Sequence, residues 1–146
     1  MKKMFKIKPI HCVGAFIAII LSMYMVDSFT PKASIKSIHE TSLLEVDDRV
    51  FGDKTGSGIS YVLFYSEDSE KCTEMAYNLD QLSKKESGSH FYCMNVSKDQ
   101  AQALAHQVSG VPYTLILKDG KPVEKVLGIV PVSNLRMIHE RINKKD

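Results

Sequence analysis

Tyr61-Val-Leu-Phe-Tyr-Ser-Glu-Asp-Ser-Glu-Lys-Cys72 is the stretch of sequence that decides the fold of this chain. Its first five residues are aromatic or aliphatic, as a buried strand requires. After Cys72 the apolar residues recur every three or four positions, which predicts an amphipathic helix over residues 72–85. The cysteine therefore falls in the first turn of a helix, where unpaired N–H groups and the helix dipole favour a thiolate. This pattern is typical of a redox site, but Ser69 stands where a partner thiol would be expected.

The composition is that of one globular domain with an N-terminal appendage. The 146 residues are 44% hydrophobic and 25% charged, which is ordinary for a globular domain. Four of the 19 basic residues precede the first acidic residue, Asp27, so the remainder carries 15 basic and 17 acidic residues. The net positive charge of the chain therefore comes from the N-terminus, and the remainder has a net charge of −2. The sequence contains no basic stripe interleaved with aromatic residues, the pattern that would indicate a nucleic-acid partner.

An export signal is predicted at the N-terminus. Lysines lead into residues 10–26, a run without a formal charge that is as long as a short membrane span (~17–25 residues). Residues 1–26 are predicted to be an uncleaved signal anchor, because no small-x-small cleavage site is evident, with a cleaved signal peptide as the alternative. A linker over residues 27–34 and one domain over residues 35–146 follow. The lysines favour an inner-membrane protein whose domain faces the periplasm, or an exported soluble form if the signal is cleaved.

Beyond the linker the chain alternates between strand and helix patterns. A first strand is predicted over residues 35–39 and a first helix over residues 43–51, capped by Thr41 and Ser42, before a loop at residues 52–58. Further strands are predicted at residues 60–65, 91–96, 113–117 and 123–130, and further helices at residues 72–85, 99–108 and 133–142. This order implies an α/β fold with a mixed central sheet and helices on both faces, preceded by the N-terminal hydrophobic helix.

Three local motifs give the chain a resemblance to the thioredoxin family. They are the strand–turn–helix segment at residues 62–72, the loop Gly110-Val111-Pro112, and the hairpin at residues 118–123 followed by Gly128. In the family the first segment holds a Cys-x-x-Cys motif, whose two cysteine positions are Ser69 and Cys72 here. The resemblance covers residues 35–143 and implies a thioredoxin-like fold.

The resemblance implies a thiol–disulfide oxidoreductase, yet several of the residues that this chemistry needs are replaced. In such enzymes the first cysteine attacks and the second resolves the mixed disulfide, but the attacking position here is Ser69. The family's buried acid corresponds to Leu63, and the buried lysine opposite it corresponds to Cys93. Catalysis is therefore expected to be impaired. The structural alternative for the motif is that Ser69 caps the helix and Cys72 fills the core.

Cys93 leaves a second interpretation open. The resemblance places its strand beneath the turn, so Cys72 and Cys93 are candidates for a disulfide or an atypical redox couple in an exported protein. The alternative is that Cys93 is one more apolar residue of its strand. One functional hypothesis is therefore an atypical thiol–disulfide oxidoreductase that uses Cys72 alone or with Cys93.

The peptide-binding half of the family's site is better preserved than the chemical half. Val111, before a proline expected to be cis, would offer its backbone N–H and C=O to an extended partner segment. Pro112 and Gly128 would shape this groove, and a trans Pro112 that only ends a helix is the alternative. The other functional hypothesis is therefore a membrane-tethered accessory module for thiol–disulfide handling. It would bind exported or membrane proteins as extended segments or mixed disulfides.

No cofactor or metal is expected from the sequence. His139-Glu140 begins a His-Glu-x-x-His pattern, but the pattern ends in Asn143, and no set of cysteines and histidines has zinc spacing. Residues 52–58 resemble a phosphate loop only superficially, because they precede a strand instead of opening a helix.

Overall fold

The computed structural model describes residues 17–21 and 37–144 of the chain. Residues 17–21 are helical, and most of the predicted hydrophobic helix at residues 10–26 lies outside the described residues. In the described part of the chain, no helix is both long and apolar enough to cross a membrane. The contacts divide the chain after Ser34, and the domain described below is the second of the two units.

The domain is a five-stranded mixed sheet covered by helices. Its strands are β1 (Leu44–Glu45), β2 (Ile59–Tyr65), β3 (Ser89–Asn95), β4 (Tyr113–Lys118) and β5 (Lys121–Leu127). Its helices are α1 (Phe51–Thr55), α2 (Glu70–Ser83), α3 (Ala101–Ala105) and α4 (Val132–Asn143), with a 3₁₀ turn at Ile38–Glu40. The strand order is β1-β3-β2-β4-β5, in which β2 is parallel to β3 and antiparallel to β4. The predicted α/β class and mixed sheet are therefore confirmed.

Two hydrophobic clusters, one on each face of the sheet, hold the layers together. Tyr61 and Leu63 belong to the first cluster, and Val62 and Phe64 belong to the second. This division follows from the two-residue period of a strand, which turns successive side chains to opposite faces. The first cluster packs α2 and α4 on the sheet, and the second packs Phe51 of α1 and the α3 region. β2 is buried along its whole length because both of its faces are covered.

The predicted first strand at residues 35–39 is wrong in its described part. The chain instead forms the 3₁₀ turn at Ile38–Glu40, where Ser37 Oγ accepts a hydrogen bond from the His39 N–H at 3.2 Å. Ile38 is buried in the first cluster. Its apolar side chain therefore contributes to the core from a turn and not from a strand.

The predicted first helix at residues 43–51 is also wrong. Its first half contains β1, which pairs in parallel with β3 at the edge of the sheet. The helix begins only at Phe51, because Asp47 Oδ1 accepts the backbone N–H groups of Arg49 at 3.0 Å and Val50 at 3.2 Å. These bonds turn the chain into α1, which occupies the first part of the predicted loop.

The later elements agree with the prediction except for β5, which ends at Leu127 instead of residue 130, and α3. This helix spans only Ala101–Ala105, although helix was predicted over residues 99–108. Leu104, the largest apolar residue of this helix, is 75% exposed. Ala103 and Val108 contact the second cluster instead.

Candidate functional site

Ser69 ends the turn after β2 and caps α2. Its backbone is extended, and its Oγ accepts a hydrogen bond from the Cys72 N–H at 3.4 Å. A side-chain oxygen at this position satisfies one of the unpaired donors at a helix start, which stabilises the helix. Because a serine hydroxyl is not ionised at neutral pH, position 69 provides a cap and no nucleophilic thiolate.

The residues before the cap form an exposed acidic turn. Asp68 has a φ of 64°, in the left-handed region that aspartate adopts more readily than most residues. Glu67 is paired with Lys98 at 2.9 Å and accepts a hydrogen bond from Asn95 Nδ2 at 2.8 Å. The hydrogen bond from Lys98 is the main cause that lowers the pKa of Glu67. The turn is thus tied to the end of β3.

Cys72 lies in the first turn of α2 with its side chain in the core. It is fully buried in the first cluster, and its thiol is free. Thiol–disulfide exchange requires that the attacking sulfur reach the disulfide of the partner. In this conformation Cys72 is therefore a packing residue.

Cys93 is the second buried thiol of the domain. It is 2% exposed, and burial, with a smaller contribution from the Glu45 carboxylate, raises the pKa of its thiol to about 12. The thiol is therefore protonated at neutral pH. Cys72 and Cys93 belong to the same cluster, as the resemblance implied, but both are free and the proposed disulfide between them is not formed.

Toward the middle of the sheet the side chains beside Cys93 carry no charge, whereas its register partner on the edge strand β1 is Glu45. Leu63 is the register partner of Cys93 on one side and of Thr114 on the other. The Thr114 hydroxyl is buried and has no hydrogen-bond partner among the described residues. The positions implied for a buried acid and lysine are thus adjacent, as expected, but they hold a leucine and a thiol that stays protonated at neutral pH. Sequence reasoning did not single out Thr114, because its register is set by strand pairing.

The residues predicted to form a groove are brought together. The Val111–Pro112 peptide bond is cis, and the Gly128 N–H donates a hydrogen bond to the Pro112 carbonyl at 2.8 Å. Gly128 has a φ of 85°, which glycine adopts without strain. Val111 is half-buried against both clusters, and within residues 37–144 neither its N–H nor its C=O forms a hydrogen bond. Its backbone groups are therefore free to pair with another chain.

The loop after Gly128 is fixed to the helix that carries Cys72. Asn78 Nδ2 donates a hydrogen bond to the Val130 carbonyl at 3.0 Å, and the Val130 N–H points to the Met75 sulfur at 3.4 Å. Both partners lie on α2. The loop thus packs on the second and third turns of α2, and Asn78 lies one turn after Glu74 and two turns after Glu70 on the same stripe of the helix.

Two exposed apolar residues flank Gly128 and were not predicted as site residues. Leu127 is 63% exposed and Ile129 is 36% exposed. Val126, the neighbour of Leu127, is buried beside Thr114. The alternation of strand β5 therefore turns Leu127 outward, and this signal was available in the sequence.

The histidine that begins the zinc-like pattern has a structural role. His139 is buried, its Nδ1 is bonded to the Tyr61 hydroxyl at 2.9 Å, and its Nε2 lies 3.2 Å from a Glu86 oxygen. This network links α4 to β2. Within residues 17–21 and 37–144, no group of three or more His, Cys, Asp or Glu side chains is placed to hold a metal ion.

The chain is similar to known thioredoxins in sequence and in structure. The family model described as Thioredoxin matches residues 44–141. A thioredoxin of Staphylococcus saprophyticus is 29% identical over 101 residues, which cover 68% of this chain and 97% of that protein, and one of Staphylococcus aureus is 28% identical over the same length. A mutant thioredoxin from Halobacterium salinarum NRC-1 is structurally similar, with a TM-score of 0.63 and 25% identity over 67% of this chain and 88% of that one.

Proposed function

The chain belongs to the thioredoxin family, and from this premise we propose that it is an accessory member that binds extended segments of other proteins. It lacks the usual thiol–disulfide exchange of the family. The contrast between the two halves of the site carries this conclusion. Ser69 provides a helix cap and Cys72 a buried thiol, whereas Val111 retains free backbone groups beside a cis proline.

Binding would occur by addition of a short strand at Val111. Its N–H and C=O would each form one main-chain hydrogen bond with the partner segment. The space above Gly128 is open, since a Cβ built there would lie within 4 Å of no other atom. Two such hydrogen bonds contribute about 1–3 kcal/mol in total. Apolar contacts with the segment are therefore needed for useful affinity.

Thiol–disulfide exchange would be impaired at its first step. A thiolate must attack a disulfide sulfur, and the residue at the attacking position is Ser69. Cys72 is fully buried, and the pKa of Cys93 is raised to about 12 by burial. An atypical oxidoreductase that uses these two thiols would have to expose one of them, so the geometry favours the binding function.

We also propose that the domain is exported and tethered to the inner membrane by residues 10–26. The lysine-rich start and the uncharged run support this location. Its partners would then be exported or membrane proteins. Carbonate extraction and external protease treatment of spheroplasts test the location, and release of the full chain into the soluble cytoplasmic fraction would contradict it.

Site-specific crosslinking tests the binding function in cells. A photo-reactive amino acid at Leu127 is expected to give adducts with other proteins. The same amino acid at Val123, which is also exposed on β5 but lies ~13 Å away along the strand, should not. The adducts should persist in reductant and in Cys72→Ala. Adducts that are identical at both positions would contradict the binding site, and adducts that need Cys72 would favour the enzyme.

A further inference from the structure

The groove has two exposed apolar side chains at its edge. Leu127 and Ile129 flank Gly128, whose N–H is bonded to the Pro112 carbonyl. They therefore border the free backbone groups of Val111. A segment that pairs with Val111 can bury one of its own apolar side chains against this pair.

The helix to which this loop is fixed carries unpaired negative charge in its first two turns and in the residue before its cap. The acidic side chains concerned are exposed and form no ion pair within residues 37–144: Asp68, Glu70 and Glu74. Lys71 is the cation among them, and Glu67 is already neutralised by Lys98. The net charge of this region is therefore −2.

The helix dipole offsets only part of this charge. The N-terminus of a helix carries the equivalent of about +0.5 elementary charge. The start of α2 therefore remains negative beside the groove. An acidic segment would be repelled there, and a basic one would be attracted.

We propose that the segment bound in this groove is extended and basic, a proposal that rests on the binding function given above. One of its apolar side chains would contact Leu127 and Ile129, and a lysine or arginine next to it would face Asp68, Glu70 and Glu74. Successive side chains of an extended segment alternate in direction, and residues two apart are separated by roughly 6.6 Å. The apolar and basic residues would therefore lie within two or three positions of each other.

Peptide binding to the full chain in nonionic detergent tests this preference. The probes are three fluorescein-labelled ten-residue peptides that carry two valines separated and flanked by lysines, by glutamates or by serines. Fluorescence anisotropy gives each dissociation constant at low and high salt. We expect the lysine peptide to bind at least about tenfold more tightly than the glutamate peptide, with the difference shrinking in high salt.

Two double variants, each of which removes two exposed negative charges, test whether the acidic side chains of α2 cause the preference for the lysine peptide. Glu70→Gln/Glu74→Gln is expected to weaken binding of the lysine peptide by about threefold to tenfold. Asp53→Asn/Glu140→Gln also removes two exposed charges, one of them in the first turn of α1, and should change the affinity by less than about twofold.

The outcomes distinguish a preference for basic segments from the binding function itself. Leu127→Ser should weaken all peptides, since it removes the apolar contact but leaves the charges. Equal affinities for the lysine and glutamate peptides, still weakened by Leu127→Ser, would overturn the basic preference and leave the binding function standing. A preference for the glutamate peptide would also overturn it. Failure of all three peptides to bind would overturn both.

Discussion

Replacing Cys93 with alanine will make the stability of the protein less sensitive to alkaline pH. Burial, and then the Glu45 carboxylate, raises the pKa of this thiol from 9.0 to about 12. Above pH 9 the unfolded chain loses this proton, whereas the folded chain keeps it until about pH 12. The unfolded chain thus binds fewer protons in this window, so the free energy of unfolding falls as the pH rises through it.

The size of the effect follows from the two pKa values. At pH 8 the thiol is protonated in both states and contributes almost nothing. At pH 10 it is largely ionised in the unfolded chain and protonated in the folded one, which costs about 1.4 kcal/mol of stability. Cys93→Ala removes this loss, and its cavity lowers the stability by an amount that does not depend on pH.

Urea unfolding of the full chain, followed by circular dichroism in nonionic detergent and reductant, measures this difference at pH 8 and pH 10. Leu63→Val is the matched control, because it removes apolar volume at the register partner of Cys93 without removing a titrating group. Wild type and Leu63→Val should lose the same stability between the two pH values, and Cys93→Ala about 1.4 kcal/mol less. Equal losses in all three proteins would refute a thiol that stays protonated in the core.

Substitutions at three further positions test the cap, the buried network and the groove by the same urea measurement. Ser69→Ala removes the acceptor of the Cys72 N–H and should lower the free energy of unfolding by about 1 kcal/mol. Ser69→Asp, which keeps an acceptor there, should retain most of this stability. An alanine variant as stable as the wild type would refute the capping role. Tyr61→Phe leaves His139 Nδ1 without its partner and should cost about 1–3 kcal/mol, so an unchanged stability would show that this bond contributes nothing. Gly128→Ala should lower the free energy of unfolding by about 1–2 kcal/mol, because alanine is strained at a φ of 85°. The added Cβ meets no neighbour, so no steric clash adds to this cost. An unchanged stability would contradict the left-handed backbone at this position.

The central part of the fold could be predicted because its signals are local. β2 is covered on both faces and reads as an uninterrupted apolar run, and α2 has a clear three-to-four period. β1 could not be found in this way. It has two residues, both exposed, and exists only through pairing with β3, so no periodic pattern marks it.

The site residues that belong to a sequence motif could be predicted, whereas features that depend on tertiary packing could not. Ser69, Pro112 and Gly128 were identified from their motifs. The structure places Ser69 at the helix start, Pro112 in the cis-proline loop and Gly128 after β5, bonded to Pro112. The complete burial of Cys72 depends on how α2 packs on the sheet, which a helical period alone does not determine. The unpaired Thr114 hydroxyl likewise depends on the register between β2 and β4.

Reduction of insulin disulfides tests most directly whether the protein lacks exchange activity because position 69 holds a serine instead of the attacking cysteine. The rate of insulin precipitation in dithiothreitol is measured for the full chain, for Ser69→Cys, for Cys72→Ala and for Ser69→Cys/Cys72→Ala. We expect the wild type to match dithiothreitol alone, and Ser69→Cys to accelerate the reaction only while Cys72 is present. Acceleration by the wild type that disappears in Cys72→Ala would contradict a binding protein without exchange activity.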